Sequence, residues 1–157
     1  MTLTTLTKMI YVSDRIRLPL YSGEEEFGYF VGKDSGDRIF IHNGITASRG
    51  GSGIVQEKNE KLRSLLNELL TTCPETVVIP YHTHPLEEFS PGDLRQLRED
   101  YRGGVRIAGL GTPTDFRFVE IATLREIPYQ SILYNDKLTP LLMRRSRAVN
   151  RFLIKNL

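Results

Sequence analysis

Three histidines occur in this 157-residue chain, and two of them, His82 and His84, stand one residue apart at the end of an apolar, β-branched run. That run, Thr76-Val-Val-Ile-Pro-Tyr81, has the composition of a buried strand. Alternate residues of a strand leave by the same face, so His82 and His84 would aim two imidazoles at one point. Five residues separate His84 from Ser90, which opens the segment Ser90-Pro-Gly-Asp93. Ser90 reads as a helix N-cap, with Pro91 in the first helical position, where its missing N–H costs nothing. Asp93 then falls in the first helical turn and can carry its carboxylate back toward the imidazoles. Two imidazoles and a carboxylate, with a fourth position open, are the ligand set of a catalytic zinc site. Ser-x-x-Asp is also a helix-capping pattern in its own right, and the two readings are compatible, since a capped helix start presents a ligand rigidly.

The elements that must position these residues follow from the apolar spacing. Residues 8–18 suggest a strand followed by a turn or short helix. Phe27–Val31 and Arg38–Ile41 form an expected hairpin about the turn Lys33–Asp37. His42 closes its second strand and is assigned no role. Ala47–Gly53 reads as a flexible loop; no Gly-Lys-Ser/Thr follows, so it is not a phosphate loop. Leucines at 62, 65, 66 and 69 mark one face of an amphipathic helix over Gln56–Leu70. A helix is expected from Pro91 to about Tyr101, followed by strands at 105–111 and 115–121. This alternation predicts an α/β fold: a twisted, mixed sheet covered by helices. Beyond Pro128 the pattern changes. Thr139-Pro140 starts a basic amphipathic helix carrying Arg144, Arg145, Arg147 and Arg151, which docks its apolar face or forms an oligomer or partner contact.

His82-Thr-His84-Pro…Ser90-Pro-Gly-Asp93 resembles the signature of the JAMM (MPN+, or JAB-domain) zinc metalloproteases, prokaryotic type, whose pattern also has a glutamate far upstream followed by glycines three and seven residues on. Glu25-Glu-Phe-Gly28-Tyr-Phe-Val-Gly32 fits that spacing, although Glu24-Glu25-Glu26 by itself reads as a solvated acidic turn. The loop from His84 to Ser90 is shorter than the family usually carries, a departure that bears on the substrate rim. The resemblance implies an MPN/JAB-like, cytidine-deaminase-like three-layer fold, spanning about residues 8–126 of a single domain (1–157) with a C-terminal helical extension (127–157). It implies one zinc ion per chain on His82, His84 and Asp93, with Glu25 as general base and Ser90 assisting the oxyanion. The implied reaction is hydrolysis of an isopeptide or peptide bond after the C-terminus of a ubiquitin-like or sulfur-carrier protein. Glu87 and Glu88, in the loop between the histidines and the helix, would favour a basic substrate tail at the rim.

Composition fits a soluble globular domain, 39% hydrophobic and 25% charged. A net charge of +2 points to neither nucleic acid nor an acidic partner. The single cysteine, Cys73, forbids an internal disulfide and agrees with a reducing compartment. No apolar run approaches a membrane span, and the N-terminus lacks a signal-peptide pattern, so a cytoplasmic protein with no membrane partner is expected. Two other readings compete. Two histidines and a carboxylate also make the facial triad of non-haem iron oxygenases, usually on a many-stranded jelly roll. A catalytically inactive, MPN-type interaction module would keep the fold without the chemistry.

Overall fold

The computed structural model describes residues 8–49, 64 and 75–133. The expected hairpin forms and extends beyond both apolar runs, as β2 (Glu26–Asp34) and β3 (Arg38–Arg49). Its turn depends on Gly36, at a φ of 94° that side chains rarely adopt, and on Asp34 Oδ1, which accepts the Gly36 N–H at 2.9 Å. The backbone remains in strand through residues 47–49, where the sequence suggested a loop. The remaining strands are β1 (Met9–Ser13), β4 (Thr76–Thr83), β5 (Ile107–Gly111), β6 (Phe116–Glu120), β7 (Glu126–Ile127) and β8 (Tyr129–Ile132). One helix, α1 (Pro91–Arg102), is present among the described residues.

All eight strands belong to one mixed sheet, in the order β7-β6-β5-β4-β2-β3-β1-β8. The two outermost strands are joined through Pro128 alone, so the sheet must curl until its edges meet. Pro128 ties the seam: its carbonyl accepts the Ile10 N–H at 3.2 Å, and Tyr129 of β8 packs edge-on against Phe118 of β6, with ring centroids 5.3 Å apart. The product is a nearly closed, barrel-like sheet. This overturns the expectation of an α/β fold with a sheet covered by helices in three layers. The physical reason lies in β7 and β8, which are short and mostly exposed and carry no alternating pattern, yet convert an open sheet into a rolled one. A rolled sheet buries one face against itself, so it needs less helical cover. The helix expected over Gln56–Leu70 lies outside the described residues apart from Ser64, and the C-terminal basic helix lies wholly outside them.

The interior is filled by alternate residues of each strand: Ile10 and Val12, Phe30, Ile39 and Ile41, Ile79 and Tyr81, Phe116 and Phe118, with Ile107 and Ile127. Phe30 stacks on Tyr81 at 4.5 Å and meets Phe116 edge-on at 5.6 Å, the offset and T-shaped geometries aromatic rings prefer. A second, smaller cluster lies on the outer face, where Leu97 of α1 packs on Ala108, Val119 and Ile121, flanked by Phe89, Leu94 and Val105. β4 and β5 run parallel, which a tight turn cannot achieve. The crossover is the segment containing α1, and it returns the start of that helix to the carboxyl end of β4.

Candidate metal and catalytic site

Ile79 and Tyr81 face the barrel interior, so His82 and His84, of the other parity, face outward toward α1. His82 packs its ring against Phe89, with centroids 5.6 Å apart. Its lateral neighbours on the sheet are Phe27 of β2 and Leu110 of β5. The two imidazoles lie 5.9 Å apart between centroids, at 75° to each other.

The start of α1 is built as its sequence suggests. Ser90 is the N-cap in an extended conformation, with Pro91 beginning the helix. Ser90 Oγ accepts the Asp93 N–H at 3.2 Å, and Asp93 Oδ2 accepts the Ser90 N–H at 2.8 Å, a reciprocal capping box. That arrangement fixes the Asp93 carboxylate, whose Oδ2 stands 3.2 Å from His82 Nε2. Burial alone would raise the Asp93 carboxyl; the imidazole of His82 and the hydrogen bonds of Ser90 outweigh it and hold the group well below the usual carboxylate range.

His82 Nε2 is buried, has no well-formed hydrogen bond among the described residues, and stands in a close ion-pair contact with Asp93 Oδ2. A buried ring nitrogen this close to a carboxylate fits a shared cation. Tetrahedral zinc with bonds of about 2.0–2.1 Å places neighbouring ligand atoms roughly 3.3 Å apart, and the separation observed is 3.2 Å. His82 and Asp93 therefore fit two ligands of one ion. His84 shares their face but turns its ring to the loop, where Nδ1 accepts the Leu86 N–H at 3.2 Å and lies 3.4 Å from the Leu86 carbonyl oxygen. Among the described residues, no three His, Cys, Asp or Glu side chains are grouped closely enough to hold a metal as they stand. In the tautomer that carries its proton on Nδ1, that N–H faces the Leu86 carbonyl and the Nε2 lone pair is free for a ligand bond.

Glu25 is exposed and lies just before β2. The β2–β4 pairing ends at Phe27–His82, two residues short of Glu25, which shares the parity of Phe27. Glu26 has the other parity and points into the barrel, where only 6% of it is exposed. There Arg17 Nη2 donates to both carboxylate oxygens, at 2.8 and 3.0 Å, and the Tyr81 hydroxyl donates to Oε2 at 2.8 Å. Burial, together with that carboxylate, pushes the Tyr81 phenol up to about 12. Sequence reasoning missed this polar cluster, although Glu26 shares strand parity with Gly28 and Phe30, a signal that it turns inward.

Glu87 and Glu88 are exposed in the loop before α1. Arg117, on the outer face of β6, approaches the Glu87 carbonyl oxygen at 3.5 Å and holds Asp115 at 2.9 Å. His42, given no role, occupies the β3 bulge between the partners of Gly32 and Val31, and burial pushes its imidazole down to about 4. No described helix is long and apolar enough to cross a membrane. In comparisons with known proteins, the chain matches no family model and no curated sequence.

Proposed function

We propose that the protein is a zinc-dependent amide hydrolase of the JAMM type, acting after the C-terminus of a ubiquitin-like or sulfur-carrier protein. The observation that carries this reading is the pairing of the buried His82 Nε2 with a capped Asp93 carboxylate at ligand–ligand distance, beside His84 at the end of β4. His82, His84 and Asp93 would hold the ion. A zinc ion held there would supply Lewis acidity toward water and the scissile carbonyl.

The chain's own residues carry the remaining steps. Glu25, two residues before the Phe27–His82 pair, takes a proton from the attacking water and delivers it to the leaving amine. Ser90 Oγ accepts a hydrogen bond from the helix start, which leaves its hydroxyl hydrogen free to donate to the oxyanion as it forms. Phe89 and Phe27 beside His82 shed water from one flank, which strengthens each of these electrostatic contacts.

Metal content of protein purified without added metal, for wild type, His84→Ala and Glu25→Ala, tests the proposal. Near one zinc per chain is expected in wild type and Glu25→Ala, with loss in His84→Ala. Wild type and not Glu25→Ala should then cleave a linear fusion after a ubiquitin-like domain. A wild-type chain that takes up no metal even after supplementation would overturn the hydrolase and favour a non-catalytic interaction module. Iron in place of zinc would favour the oxygenase.

A further inference from the structure

The hydrogen-bond ladder between β2 and β4 ends at the pair Phe27–His82, two residues short of Glu25 and His84. Continued by one residue, it would set Glu26 opposite Thr83. At that point the main chain of β4 gives way to a side chain. Thr83 Oγ1 accepts the Glu26 N–H at 2.7 Å and donates to the Glu24 carbonyl oxygen at 3.4 Å. Thr83 has no exposed surface, and it lies between the two histidines with its side chain turned to the opposite face. Its hydroxyl thus holds the backbone on either side of Glu25. The main-chain N–H of the next residue, His84, is already committed to the Gly111 carbonyl on the β5 side at 2.8 Å.

We infer that Thr83 is a positioning residue for Glu25: its hydroxyl replaces the missing rung of the ladder and fixes the Glu25 backbone just beyond the Phe27–His82 pair. The inference rests on the hydrolase reading above and adds a residue that neither binds the metal nor touches the substrate. Its geometry couples the two halves of the site, since the strand that carries His82 and leads directly into His84 also locates the general base. Without the hydroxyl, residues 24–26 would still be tethered by the Glu26 carboxylate, but at a side chain rather than along the backbone that aims Glu25. A misplacement of about 1 Å in a reacting group can cost on the order of 10²-fold in rate.

The test uses the full-length chain loaded with zinc and, as probe, a ubiquitin-like domain fused linearly to a short lysine-containing peptide. Thr83→Val removes both hydrogen bonds at nearly constant shape, Thr83→Ser keeps them, and Thr83→Cys substitutes a weaker group. Four quantities are read: zinc per chain, kcat, KM, and hydrogen exchange at the Glu26 amide. Thr83→Val should keep its zinc and a KM within about twofold of wild type, lose roughly 10- to 100-fold in kcat, and exchange the Glu26 amide faster. Thr83→Ser should restore both kcat and protection, with Thr83→Cys between them; this graded pair carries the test if Thr83→Val does not fold. A wild-type kcat or a protected Glu26 amide in Thr83→Val, or a Thr83→Ser that stays as slow as Thr83→Cys, would overturn the inference. A wild-type chain that binds zinc and cleaves nothing would defeat the hydrolase reading itself, and the positioning role with it, a failure visible before any variant is made.

Discussion

His42 and the pair Glu87–Glu88 show how differently charge acts when buried and when exposed. His42 sits in a bulge of β3 with a buried Nδ1 that has no hydrogen-bonding partner among the described residues, and burial lowers its pKa from 6.5 to about 4. A depressed histidine is neutral in the folded chain, while the unfolded chain takes up the proton from about pH 6.5 downward. The stability this group contributes is therefore fully present above pH 6.5 and is lost as pH falls toward 4. The loss is on the order of 3 kcal/mol across that window. Thermal midpoints followed from pH 7 to 4 should fall more steeply in wild type than in His42→Leu; parallel curves would show that the imidazole is solvated. Glu87 and Glu88 are exposed. Their carboxylates should matter for substrate capture rather than for stability, so reversing both to lysine should raise KM for a lysine-rich tail with kcat little changed. The effect should shrink as salt is added, because exposed charges are screened within about 10 Å at 0.1 M; an unchanged KM would remove them from the substrate rim.

At the scale of the element, the glycine spacing that carries the resemblance has its own packing reasons. A Cβ on Gly28 would lie on the Ile45 carbonyl oxygen and the Tyr81 hydroxyl, and one on Gly32 would strike the Phe40 carbonyl at the second register shift of β3. Gly28 is what lets Tyr81 cross β2 and reach Glu26. Gly28→Ala should therefore cost about 1–3 kcal/mol, as overpacking of a filled core does. Gly92→Ala, in the first turn of α1 with only ordinary contacts, should be neutral or stabilise by up to about 1 kcal/mol. Denaturant midpoints compare the two directly, and equal shifts would argue against a packing role for Gly28. Local signals made much of this legible in sequence. The β2–β3 hairpin, β4, the cap at Ser90 and the extent of α1 all follow from apolar runs, turn residues and a Ser-Pro start. The inward turn of Glu26 was hidden by its place in a run of three glutamates, where only strand register separates the solvated Glu25 from the buried Glu26.

The whole molecule depends on pairings that no local pattern announces. β1 and β8 are parallel neighbours from opposite ends of the described chain, and β7 and β8 meet only at Pro128, so the rolled sheet emerges from tertiary closure rather than from periodicity. Within that frame the proposed ligands come from two places, His82 and His84 from the carboxyl end of β4 and Asp93 from a helix that rests on the outer face of the sheet through Leu97 and Leu94. An ion bound by all three would tie α1 to β4 in the folded chain, while the unfolded chain holds these residues at no fixed distance. Binding confined to the folded state stabilises by mass action, about 4 kcal/mol at a free zinc concentration a thousand times Kd. For a domain of this size that corresponds to a rise in Tm of roughly 8–16 °C. The rise should appear in wild type on adding zinc, reverse with chelator, and vanish in His82→Ala and Asp93→Ala. Glu25→Ala should keep it in full, because a general base outside the ligand set leaves the cross-link intact. An equal rise in every variant would place the zinc elsewhere on the chain, and a rise lost in Glu25→Ala alone would make that carboxylate a ligand instead of a base.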